Sequence, residues 1–324
     1  MRHLALLLAL APLALVTACP SSTDDTPTPT PVEPLTPPTE GSGFQLEFVT
    51  EAPAGTEVWA CKVYDLPTTD VAAVNWVQYQ QAPGTHHMTL STLGLSGDGG
   101  VEPGEYDCPE LYGDSSLMED QIMFFGAQGE AEGEMRLPDR VAASFPAGLR
   151  IIHEVHFVNT TAEPVELYSR VNAWTIPESA VEEGIWGGSV RDENINLARG
   201  ETTTEWSRCV MNRDVEVLFL ASHMHELGVE FTIAPYDGTT VGDVMYTNDD
   251  WHDPKITQYD PPLVIPAGQG FEWSCTWDNT TEDDVTYGLN ADDEMCNLAV
   301  VFMPFDVTAA CEVVETSDGV LWEQ

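Results

Sequence analysis

Residues 222–228 read SHMHELG. His223 and His225 stand two apart, and side chains at i and i+2 on a strand share a face, so both imidazoles can reach one metal ion. Upstream, THHMTL (85–90) places His86 and His87 side by side. Neighbours on a regular strand point to opposite faces, so joint ligation there needs a strand end or a backbone irregularity. Pro83, Gly84 and Thr85, just before them, supply such a break. His153 and His156, in HEVHF, are three apart and face opposite sides of a strand, so at most one joins a given site. His252, in DDWHDP, lies among loop residues and reads as a surface group. Met295, in DDEMCNL, adds a soft thioether. Beside two imidazoles it suits Cu(I) better than Zn²⁺, which takes thiolate, imidazole or carboxylate. A single methionine is ordinarily a core residue, and only its combination with His223 and His225 makes it a ligand candidate. The chemistry these residues point to is copper redox chemistry.

Strands must position them. QLEFVTE (45–51), EVWACKVYDL (57–66), NWVQYQ (75–80), LRIIHEVHFVN (149–159), VELYSRVNAW (165–174), DVEVLFLASHMHE (214–226), VEFTIAPYD (229–237), GFEWSCTWDN (270–279) and NLAVVFMPFDV (297–307) are rich in β-branched and aromatic residues. Many alternate apolar and polar, and Gly, Pro, Asn and Asp punctuate the gaps. No long stretch has a helical period. The expected architecture is all-β: two antiparallel β-sandwich, jelly-roll-like domains in tandem. The boundary is placed where a strand ends at Pro177, giving domains 44–177 and 178–324, and the two halves show no obvious sequence repeat.

The N-terminus reads as an export signal. Residues 1–18, MRHLALLLALAPLALVTA, carry one Arg, a short apolar core and a small residue at the end. His3 leaves with them. VTAC, ending at Cys19, resembles a bacterial lipobox, so the mature chain is expected to begin at a lipidated Cys19; ordinary signal cleavage nearby is the alternative. Residues 19–43 are then a lipidated cysteine and a Pro/Thr-rich tether. Of the 7 cysteines, six remain, an even set that fits three disulfides in an oxidising compartment. The formal charge of −43 repels nucleic acid and anionic headgroups, so no nucleic-acid partner is expected and the membrane is reached only through the lipid. The expected location is the cell envelope, at the outer membrane or surface of a Gram-negative bacterium.

HHM (86–88), EVHF (154–157), HMHELG (223–228) and DEMCN (293–297) occur in series. Over residues ~44–315 the chain resembles the copper type II, ascorbate-dependent monooxygenases, the group that includes peptidylglycine α-hydroxylating monooxygenase and dopamine β-monooxygenase. The resemblance implies two coppers per chain. An electron-transfer copper would be held by His86, His87 and His156, the last preferred over His153 because VHF matches the family's VHY. A catalytic copper, where oxygen binds and a C–H bond is hydroxylated, would be held by His223, His225 and Met295. It also implies the disulfides Cys61–Cys108, Cys209–Cys311 and Cys275–Cys296, and as partners O₂, a one-electron donor such as ascorbate and a small substrate. Peptide-acting members carry an Arg two residues before the first His of HxH and a Tyr four after the Met. Here those positions are Ala221 and Ala299, which argues against a peptide carboxylate as substrate. A copper-sequestering lipoprotein without turnover is the alternative on the same fold, and an adhesion sandwich with incidental histidines the least supported.

Overall fold

The computed structural model describes residues 33–93, 100–112, 121–288, 292–319 and 321. The leader, Cys19 and the Pro/Thr-rich stretch through residue 32 lie outside the described residues. The regular secondary structure of the described chain is nearly all strand, and its sheets are antiparallel apart from one short parallel pairing.

Two sheets come from the first half. One runs β1 (Gly43–Ala52), β10 (Val165–Ile176), β3 (Ala72–Gln81), β8 (Val141–Phe145), β11 (Glu183–Gly184), with β7 (Glu132–Arg136) also on β3. The other runs β5 (Gly104–Asp107), β2 (Glu57–Asp65), β9 (Arg150–Val158), β4 (Thr85–Leu93), β6 (Gln121–Gln128). The second half repeats this plan. One sheet runs β12 (Trp186–Asp192), β21 (Cys296–Met303), β15 (Val215–His223), β18 (Thr257–Ile265). The other runs β22 (Cys311–Thr316), β14 (Thr202–Met211), β19 (Gly270–Asp278), β16 (Gly228–Tyr236), β17 (Tyr246–Asn248). A two-stranded ribbon pairs β13 (Asn196–Leu197) with β20 (Val285–Thr286). A five-residue helix, α1 (Cys108–Tyr112), follows β5.

Apolar faces explain the pairing. Phe48 and Leu167 of one sheet meet Met88, Ile151 and Phe157 of the other in the first core. Val217, Val300 and Phe302 meet Phe231, Trp273 and Trp277 in the second. Burying side chains of this size stabilises the fold by roughly 1.5–3 kcal/mol each. A smaller cluster sets Leu137 and Val141 against Leu218 and Phe219, so the halves share a core. Residues Leu35–Gln324 accordingly form one compact unit.

Three details depart from the sequence reading. From Leu35 on, the stretch read as tether is fastened: Leu35 N–H donates to Gln80 Oε1 at 3.0 Å, and Asn172 Nδ2 donates to Thr36 O at 2.7 Å. The first sheet also keeps the chain past Pro177, because Glu182 N–H donates to Arg140 O and Glu183–Gly184 pairs with β8. Finally, a repeat is present. PAG at 146–148 is followed by NTT at 159–161, and PAG at 266–268 by NTT at 279–281, an identical interval. Asn159 and Asn279 close equivalent turns after β9 and β19, each side chain accepting from the Thr two residues on (Thr161 and Thr281) and donating to carbonyls of two chain segments.

Candidate metal centres

The first centre lies where β4 and β9 pair. The register shifts between Thr85 and His87, a bulge that breaks the alternation of side chains. Adjacent His86 and His87 thus come to the same place, the irregularity that the PGT break implied. His87 sits opposite His156 of β9. The three Nδ1 atoms converge: His86 to His156 at 3.2 Å and His86 to His87 at 3.1 Å. His153 does not join them. It is fully buried on the other face of β9, with Nδ1 on Tyr64 Oη at 2.9 Å and Nε2 on Ser169 Oγ at 2.7 Å.

Carboxylates orient the rings from behind. His87 Nε2–H donates to Glu154 Oε1 at 2.9 Å, and His156 Nε2–H to Glu57 Oε1 at 2.7 Å. A carboxylate only accepts, so each Nε2 carries the proton and each Nδ1 turns a lone pair inward. Glu154 also accepts from Tyr112 Oη at 2.5 Å. Burial raises its pKa, but the bonds from His87 and Tyr112 with the His87 charge outweigh that and hold it below the usual range. Burial and the neighbouring His87 and His156 push His86 down to about 3; burial also lowers His156, against the pull of Glu57. Three imidazoles that turn Nδ1 toward one point form a donor set that suits a copper ion.

The second centre lies at one end of the β15–β21 pair. The sequence reading put His223 and His225 on one strand face. In fact β15 ends at His223, and His225 stands in the turn beyond it. The rings still meet, with centroids 5.2 Å apart at 84°. His225 Nδ1–H donates to Asp293 O at 2.8 Å, which leaves Nε2 as its ligand atom. Burial and the charge of His225 drive His223 down to about 3. His223 pairs with Asn297, so Met295 is brought to the same end of the sheet. The thioether is buried and accepts from Asn297 Nδ2 at 3.2 Å. Cys275–Cys296 fixes the next residue to β19. Ala221 and Ala299 face each other across the same ladder.

Glu294 was missed by the sequence reading. It has no solvent exposure, and its carboxylate accepts from His225 N at 3.0 Å, Leu227 N at 2.8 Å, Met295 N at 3.2 Å and Trp277 Nε1 at 2.9 Å. One buried group therefore ties the histidine turn to the methionine loop. Burial raises its pKa, against the backbone N–H groups of Leu227, His225 and Met295 and the charge of His225. The signal was its place beside Met295, but acids next to ligand candidates are too common in this composition to single it out.

The three disulfides are Cys61–Cys108, Cys209–Cys311 and Cys275–Cys296, the pairing the resemblance implied. Residues 192–323 match the family model of the copper type II ascorbate-dependent monooxygenase C-terminal domain. The match takes in His223, His225 and Met295. No curated protein matches the chain.

Proposed function

We propose that the chain is a two-copper monooxygenase that hydroxylates a C–H bond of a small substrate, using O₂ and a one-electron donor such as ascorbate. The observation that carries the reading is the convergence of three inward-facing imidazoles on β4 and β9, in one chain with a second half that matches the monooxygenase C-terminal domain. His86, His87 and His156 would hold the electron-transfer copper; His223, His225 and Met295 would hold the catalytic one. Bound copper supplies O₂ activation and one-electron transfer. The residues do the rest. Glu154 and Glu57 keep two ligand rings in the metal-binding tautomer. Met295 favours the reduced ion at the second centre. Glu294 holds the two ligand loops of that centre at fixed spacing. Ala221 and Ala299 offer no cation or hydroxyl to a carboxylate, which weighs against a peptide C-terminus as substrate.

The repeated strand plan fits two tandem sandwiches of jelly-roll-like topology. The leader and Cys19 motivate export, lipidation and a place at the outer surface of the envelope. An oxygen electrode tests the function. Copper-loaded protein should consume O₂ and ascorbate in step with an added substrate. Copper uptake with no substrate-coupled turnover against a broad screen would make it a copper-sequestering protein instead.

A further inference from the structure

Two of the three rings at the first centre have an outer hydrogen-bond acceptor, Glu154 behind His87 and Glu57 behind His156. His86 is the exception. Its Nε2 is buried and, among the described residues, has no hydrogen-bond partner. Metal-ligating histidines nearly always donate the distal N–H, because this fixes the tautomer and raises the basicity of the ligating nitrogen. A buried N–H left unpaired is destabilising, because it has given up water and gained no acceptor.

What stands beside His86 comes from the other half of the chain. The rings of Trp251 and His252 each lie with their centroids 5.6 Å from that of His86, tilted by 55° and 52°. His252 was read as a surface group, and the residue is exposed; its place against His86 is what that reading lacked. The loop carrying it is built to stay there. Asp250 Oδ1 accepts His252 N at 3.0 Å, and Asn248 Nδ2 donates to Asp250 O at 2.6 Å. Gln128 Nε2 of β6 donates to Trp251 O at 3.0 Å. Gly129, at φ +74, would bring a Cβ within 3.1 Å of His252 O, so the approach of the two segments depends on glycine there. Trp251 also packs on the second core, which makes it a rigid support for its neighbour.

We propose that His252 is the missing outer partner of His86: an imidazole nitrogen of His252 accepts the His86 Nε2–H, so that the second half of the chain positions a ligand of the first copper. The inference rests on the copper reading above. An exposed imidazole whose ring already lies against that of His86 can turn a nitrogen toward it without moving backbone. The acceptor here is an imidazole nitrogen where the other two are carboxylates, so His86 is the least basic ligand of the three.

The test uses full-length protein loaded with Cu(I), which is diamagnetic. Copper stoichiometry and first-site affinity by chelator competition are measured for the parent, His252→Phe and His252→Gln, with ring N–H signals followed by ¹⁵N NMR. Phe keeps the ring's bulk and removes the acceptor; Gln restores an acceptor oxygen. The expected result is a His86 Nε2–H signal protected from exchange in the parent and lost in His252→Phe. First-site affinity should fall about 10-fold or more in the same variant, recover in His252→Gln, and leave the second site unchanged. A protected signal and parental affinity in His252→Phe would overturn the inference while leaving the copper reading intact. A parent that takes no copper at the first centre would overturn both.

Discussion

At the scale of single residues, Glu294 and Met295 separate holding the site from being the site. Glu294 accepts four N–H groups in full burial, so Glu294→Gln places an amide N–H₂ against donors and leaves part of that set unpaired. The expected cost is about 3 kcal/mol, with loss of copper from the second centre before the first, read by urea unfolding and metal analysis. Parental stability in that variant would contradict the role given to the carboxylate. Met295→Leu roughly conserves volume and apolarity while removing the sulfur. Stability should change by less than about 1.5 kcal/mol, while copper–sulfur scattering disappears from the X-ray absorption spectrum of the Cu(I) protein. Retained sulfur scattering would mean another thioether is the ligand. Residue types and order made the histidines and Met295 legible in the sequence. Glu294 and His252 were not, because their roles come from contacts that folding alone creates: a buried knot between two loops, and a loop of one half laid on a ring of the other.

At the scale of elements, period-2 alternation exposed most strands, since strand burial is written into the sequence two residues at a time. Their ends were less visible. β15 stops at His223 because the chain turns there and His225 is fixed by Asp293 and Glu294 rather than by a ladder. The bulge before His87 was foreshadowed by PGT, although its consequence for β9 pairing was not. Cys275–Cys296 joins β19 to the start of β21, next to Met295. Replacing both cysteines with Ser should cost about 2–4 kcal/mol. It should also weaken copper at the second centre, while the first centre, distant in sequence and on other strands, keeps its affinity. Equal weakening of both would show that the bond supports the fold and not the loop.

At the scale of the whole molecule, the two halves share one strand plan, and PAG and NTT at matching intervals mark it in the sequence. The signal is short, and divergence elsewhere hides it until β9 and β19 are seen in the same place. The shared cluster of Leu137, Val141, Leu218 and Phe219 predicts one calorimetric unfolding transition; two resolved transitions would show independent halves. The acidic surface adds a pH dependence. Burial, with Asp192 and Asp318 nearby, pushes Glu205 up to about 7. Its folded pKa lies above the unfolded one, so the folded state binds more protons and stability falls as pH rises from about 4.5 to about 7. Glu205→Gln should remove that slope and raise stability at pH 8 by about 1 kcal/mol, after solvent screening of a half-exposed group. An unchanged profile of melting temperature against pH would contradict the environment assigned to Glu205.

The central claim is two copper centres of unlike composition in one chain. The most direct measurement is copper stoichiometry of the purified protein beside His86→Ala and Met295→Ala. The account predicts two coppers per chain, with one lost or weakened in each variant and a different one each time. One copper or none, unchanged by either substitution, would contradict it.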